Sequence, residues 1–138
     1  MALTFSAHPH HSRAVATHAD ATSEKPAFFC RATQQSFLRL VTTPVILKAY
    51  GAEGLTNREA LQIHESLSRR QEIAFLEEPA GIQSLWFDLA ALDSASAKVW
   101  MDAYLAAFAI RHGLTFATLD GDFRKFESRG LKLRLLTP

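Results

Sequence analysis

Four apolar runs, each too short to make a helix, punctuate this chain, and between them apolar residues return at helical spacing. Ala27-Phe28-Phe29-Cys30, Ile73-Ala74-Phe75-Leu76, Leu114 to Leu119 and Leu131 to Leu136 read as buried strands. The intervening segments predict helices over about Arg13 to Ala21 with Ser12 as its N-cap, and over Thr33 to Val41, where Thr43-Pro44 stops it. Thr56-Asn57-Arg58-Glu59 has the reciprocal hydrogen-bonding pattern of a capping box and opens a helix reaching Arg69 or Arg70. Ile82 to Leu92 and Asp102 to His112 complete the set, the latter ended by Gly113 at the C′ position. Strand and helix in alternation argue for an α/β domain with a mostly parallel sheet, whose ligands gather at the C-terminal ends of the strands.

Length and composition narrow this further. At 138 residues and 48% apolar content the chain suits one domain over residues 1–138, with a full core and no disordered tail. The longest apolar stretches, such as Ala103 to Ile110, are about half of the roughly 20 residues that span a bilayer, so no membrane helix is expected. One cysteine, Cys30, cannot form an internal disulfide; with no secretory leader visible, a reducing cytoplasm is the expected compartment. A net charge of +1 excludes a protein-wide field that recruits nucleic acid. The local candidate is Arg124, Lys125, Arg129, Lys132 and Arg134, offset only by Glu127; a solvated amphipathic end reads equally well.

The chemistry-bearing residues are acidic. Asp120 and Asp122 follow the third predicted strand and Asp102 opens a predicted helix, so one α/β unit can bring all three to the same sheet edge. Three carboxylates suit Mg²⁺, a hard ion usually held by a few oxygens with its other positions left to water and phosphate. Such an ion activates water for phosphodiester hydrolysis. Simpler readings stand beside this one: Asp102 as a helix cap, and Asp-Gly as a turn after a strand.

Two blocks of sequence carry a family pattern. Met101-Asp102-Ala103-Tyr104-Leu105-Ala106-Ala107-Phe108-Ala109, then Gly113, then Ala117-Thr118-Leu119-Asp120-Gly121-Asp122-Phe123, resembles the C-terminal signature of PIN domains of the VapC toxin type. Ala32-Thr33-Gln34-Gln35-Ser36-Phe37-Leu38-Arg39-Leu40-Val41-Thr42-Thr43-Pro44 is similar to a helix of one VapC subgroup. The resemblance implies a three-layer α/β/α PIN-like fold and a metal-dependent endoribonuclease toxin of a type II toxin–antitoxin system. It implies Asp102, Asp120 and Asp122 as catalytic ligands of one or two Mg²⁺ or Mn²⁺ ions, and products with 5′-phosphate and 3′-hydroxyl ends. RNA as substrate, a cognate antitoxin that covers the acids, and a homodimer follow from the same resemblance. Gln34, Arg39 and Thr118 are its substrate-side residues, Arg39 facing either the scissile phosphate or a site carboxylate.

The pattern also departs from the family. Many PIN domains carry a glutamate where this chain has Ser36. Members begin with an apolar strand ending in Asp, whereas Met1-Ala2-Leu3 aligns to the end of that motif, so the first strand and its acid are expected to be missing. The chain then either starts inside a longer gene product or is a degenerate copy, and in the latter case a PIN-like binding module without nuclease activity is the alternative.

Other features are weaker. His8, His10 and His11 invite a zinc reading, but structural zinc wants four ligands and Cys30 is the nearest sulfur, so an exposed polar turn is the simpler account. A haloacid-dehalogenase-type phosphatase needs its whole domain after the Asp-x-Asp run, and only sixteen residues follow Asp122. Cys30 sits in an apolar run without a His partner and reads as core. Phe28, Phe29, Phe37, Phe75, Phe87 and Phe108 fit strand or helix periodicities and are expected in the core, while Trp86, Trp100 and Phe123 have no assigned place.

Overall fold

The structure, a computed structural model, describes residues 9–49 and 51–136. Met1 to Leu3, compared above with a first strand, and His8 lie outside the described residues. The chain divides into two compact units, Met1–Glu77 and Glu78–Pro138.

In the first unit α1 (His11–His18) precedes β1 (Ala27–Phe29), α2 (Arg31–Val41), α3 (Pro44–Lys48), α4 (Asn57–Ser68) and β2 (Ile73–Phe75). β1 and β2 run parallel, Ala27 opposite Ile73 and Phe29 opposite Phe75. Parallel neighbours need a crossover, and α2 to α4 supply it. The capping box forms as expected: Thr56 N–H donates to Glu59 Oε2 at 2.8 Å and Glu59 N–H to Thr56 Oγ1 at 3.3 Å. Val41 and Leu47 are fully buried, and Cys30 is a buried core residue.

Three boundaries differ from expectation, each for a local reason. Ser12 is not a cap, because the first helical bond of α1 runs from Ala14 N–H to the carbonyl of His10. α2 starts at Arg31 rather than Thr33, because Thr33 occupies the third helical position and its hydroxyl accepts from Cys30 N–H at 2.9 Å. Pro44 ends α2 yet opens α3, which the sequence reading did not contain. At a first helical position the missing N–H costs nothing.

The second unit holds α5 (Ile82–Ala90), α6 (Val99–Arg111), β3 (Thr115–Thr118), a 3₁₀ helix (Gly121–Arg129) and β4 (Lys132–Leu135). β3 and β4 are parallel, with Thr115 opposite Lys132 and Thr118 opposite Leu135. Parallel pairs between helices are the α/β class inferred above. On α6, Ala103, Ala106 and Ala107 are wholly buried, and their small side chains let α5 pack closely. Gly113, at φ +67, ends α6. Its N–H donates to Ile110 O and that of Leu114 to Ala109 O, the paired bonds of a Schellman cap.

Two expectations are corrected here. α6 begins at Val99, so Asp102 stands one turn inside it and is no helix cap. After Asp120-Gly121-Asp122 the chain does not merely turn: the 3₁₀ helix carries it across to β4 and buries Phe123 and Phe126, each worth roughly 1.5–3 kcal/mol. Phe123, unplaced from sequence, packs on Phe116 with ring centroids 4.5 Å apart.

The expected phenylalanine core is partly wrong. Phe108 is buried and Phe29 packs edge-on to Phe37, but Phe28, Phe75 and Phe87 are exposed by 37%, 37% and 48%. α5 turns Ile82, Leu89 and Ala90 inward, and at 100° per residue Phe87 then falls on the outer face. Trp86 lies edge-on to Tyr104, its indole N–H donating to Trp100 O at 2.8 Å. No helix among the described residues is long and apolar enough to cross a membrane.

Candidate active site

The second unit gathers Asp102, Asp120 and Asp122 at the C-terminal end of β3. The chain leaves the strand through a ladder of short polar contacts. Asp120 N–H donates to the Thr118 hydroxyl at 3.1 Å, and Asp122 N–H donates to Asp120 Oδ1 at 2.9 Å, which makes Asp120 the side-chain cap of the 3₁₀ helix. The Asp120 carboxylate is thereby aimed by backbone geometry. Their other oxygens, Asp120 Oδ2 and Asp122 Oδ2, each accept from the Lys98 ammonium at 2.7 Å.

Lys98 immediately precedes α6, and Asp102 follows it by one helical turn. Asp102 is the buried acid of the group, 7% exposed, and its Oδ2 is buried without a hydrogen-bond partner. The nearest cation to that oxygen is Lys125 Nζ at 3.9 Å, too long for a hydrogen bond. A buried carboxylate oxygen with no donor is costly to the fold and is commonly retained for a ligand.

The electrostatics divide the three acids. Burial pushes Asp102 above the ordinary aspartate range, with Lys98 and Lys125 pulling it back and Asp120 and Asp122 pushing it further. Asp120 is held below that range, first by the Lys98 hydrogen bond and then by the Asp122 N–H. The same two carboxylates hold the Lys98 ammonium well above the ordinary lysine range. The edge is thus a set of carboxylates with its own resident cation.

Divalent metal chemistry can be tested against this donor set. All three candidate ligands are hard oxygens, and the orphaned Asp102 oxygen is one that a cation would satisfy. In chemistry the residues fit. In placement, no three Asp, Glu, His or Cys side chains among the described residues converge on one metal position. Asp120 and Asp122 converge instead on a nitrogen.

The remaining sequence candidates lie elsewhere. Thr118 sits under Asp120 through its hydroxyl. Gln34 and Arg39 belong to α2 of the first unit. Gln34 faces His64 and Arg31, while Arg39 is exposed and no salt bridge engages its guanidinium among the described residues. Ser36 is half-buried on the same helix. In the basic stretch, Arg129 pairs with Asp88, Lys125 stands near Asp102 and Lys132 donates to Gly113 O, so these cations serve local partners rather than one free patch. His10 and His11 begin α1 without a metal-holding group among the described residues.

Lys98 was absent from the sequence reading. Its signal was a cation four residues before Asp102, the spacing that sets two side chains on one helical face.

A PIN-domain family model matches residues 1–128. The chain is also similar to Ribonuclease VapC41 of Mycobacterium tuberculosis, in strains CDC 1551 / Oshkosh and ATCC 25618 / H37Rv. Each is 42% identical over 137 residues, covering 99% of this chain and 92% of the relative.

Proposed function

The chain belongs to the PIN-domain family, and we propose that it is a VapC-type toxin, a divalent-metal-dependent endoribonuclease whose acids are Asp102, Asp120 and Asp122. One observation carries the site assignment. Asp120 and Asp122 direct an oxygen each onto one cation at 2.7 Å, beside the partnerless buried oxygen of Asp102. A Mg²⁺ or Mn²⁺ ion bound there supplies water activation and neutralises charge developing on the phosphate.

This chain's own residues do the rest. Thr118 fixes the Asp120 backbone and the Asp122 N–H holds its carboxylate, which pre-sets its oxygens before any ion arrives. Asp102 contributes from a helix turn that the buried alanines hold in place. Gln34 and Arg39 are the substrate-side residues, suited by amide and guanidinium chemistry to bases and phosphates. Hydrolysis adds water across the phosphodiester and leaves 5′-phosphate and 3′-hydroxyl ends. A cognate antitoxin, a homodimer and a cytoplasmic site of action complete the proposal, on family membership.

The competing reading is a PIN-like module that binds without cutting, favoured by the lack of three converging ligands among the described residues. RNA cleavage with added Mg²⁺ or Mn²⁺, compared between the wild type and an Asp102→Asn/Asp120→Asn variant, separates the two. The expected loss exceeds the ~10–100-fold typical of removing a residue that only supports a metal ligand. Cleavage unchanged by the double substitution overturns the metal mechanism, and tight Mn²⁺ uptake by the wild type counts against the non-catalytic module.

A further inference from the structure

The first unit contains a cavity of about 300 Å³ at the C-terminal ends of β1 and β2, in the lower range of small-molecule sites. Its apolar wall is Phe29 and Phe75, the last residues of the two strands, with Ile73 and Ala74 beneath. Its polar side is Arg31, Gln34 and His64, with Ser68 and the carboxylate of Glu77 completing the lining. The Arg31 guanidinium lies 4.8 Å from the Phe75 ring centroid and donates to Gln34 Oε1 at 2.5 Å. Because that oxygen is taken as acceptor, the amide nitrogen is the donor toward His64 Nε2 at 3.0 Å. The carboxamide is therefore held in one orientation, and among the described residues its second N–H and second lone pair make no further hydrogen bond.

We propose that this cavity receives a single base of the RNA strand, an inference that rests on the ribonuclease reading above. The argument is chemical. A flat heterocycle with donors and acceptors on its edge needs a stacking surface and an oriented amide, and protein sites for unstacked bases supply both from aromatic rings, guanidinium planes and Asn or Gln side chains. Here Phe75 is 37% exposed, so part of its surface is left in water. The guanidinium already parallels the use of that surface by a planar cation. An anionic ligand alone would not call for the phenylalanines, and a purely apolar one would strand the Gln34 amide.

Binding is measured on the full chain in EDTA, so that cleavage does not intervene, with a short fluorescent single-stranded RNA and its abasic counterpart. Gln34→Ala and Phe75→Leu each weaken binding of the base-bearing RNA by about tenfold, the order of one lost stacking contact. Neither changes binding of the abasic strand, and Phe75→Tyr retains wild-type affinity. Loss on neither RNA, or equal loss on both, overturns the proposal. In NMR spectra, nucleoside monophosphates at millimolar concentration shift the His64 ring and the Gln34 side-chain amide; unmoved resonances overturn it too. Monophosphates binding as tightly as RNA overturn the strand assignment in favour of a free nucleotide. If the wild type cuts RNA while the variants show no base-dependent loss, the cavity idea fails and the ribonuclease reading stands. If no RNA is cut but monophosphates still move His64, the nuclease reading fails and a base-binding cavity remains.

Discussion

β1 and β2 end on Phe29 and Phe75, while β3 and β4 end on Thr118 and Leu135. Both pairs are parallel, both are only three or four residues long, and in each the first strand leads into a helical segment. Past β1 come Arg31 and Gln34, and the strand ends frame an aromatic slot with an oriented amide. Past β3 come Asp120 and Asp122, and the strand end becomes a charged edge neutralised by Lys98. Equivalent backbone thus carries opposite chemistry, because a parallel strand end presents whichever side chains follow within a few residues. One end suits a ring, the other a cation.

That contrast can be broken or sharpened by substitution. The largest effect is expected at Lys98. Any ion that engages both Asp120 Oδ2 and Asp122 Oδ2 displaces this ammonium, so Lys98→Met tightens Mn²⁺ binding by about tenfold, the order expected when a unit charge at contact distance is removed. Titration calorimetry reads it directly, and unchanged or weaker binding breaks the idea that the charged edge is occupied by its own cation.

A smaller effect concerns Asp102. Its folded-state pKa is raised chiefly by burial, so the folded chain holds the proton more tightly than the unfolded one, and stability falls as pH rises through that range. Asp102→Asn therefore raises the Tm of the metal-free protein at neutral pH. The gain shrinks toward zero below the ordinary aspartate range. Thermal melts across pH test this, and a destabilised Asn variant at pH 7 contradicts the account of a strained carboxylate.

The smallest effect lies in the first unit. Thr56→Ala removes the acceptor for Glu59 N–H and costs about 0.5–1 kcal/mol in denaturant unfolding, while leaving Mn²⁺ affinity unmoved. A matching loss of metal affinity would mean that the two strand ends are not independent in chemistry.

Much of this was legible from residues because local rules decided it. The Thr56 and Glu59 box, Gly113 after α6 and Pro44 after α2 are signals written in neighbouring side chains, and each sits at the element boundary it announced. The α/β order followed from run length and spacing. What escaped was set by distant packing. The 3₁₀ helix exists because β4 returns parallel to β3 and Phe123 and Phe126 need cover, and nothing in Asp-Gly-Asp itself states that. The exposure of Phe75 depends on what fails to cover it, and hydrophobic runs do not record that. Thr118, Asp120 and Asp122 were readable as a group, whereas Lys98 required knowing that α6 begins before Asp102.

The lysine gives the charged edge the behaviour of an ion exchanger. A bare cluster of carboxylates would repel itself and depend on dissolved cations to stay assembled, so its shape would vary with ionic strength. With an ammonium tethered by its own backbone, the counter-ion is present at a fixed local concentration that dilution cannot lower. The oxygens keep their arrangement without a dissolved ion, and on the metal-dependent reading proposed above, loading would be a swap of one cation for another rather than the filling of a naked anion trap.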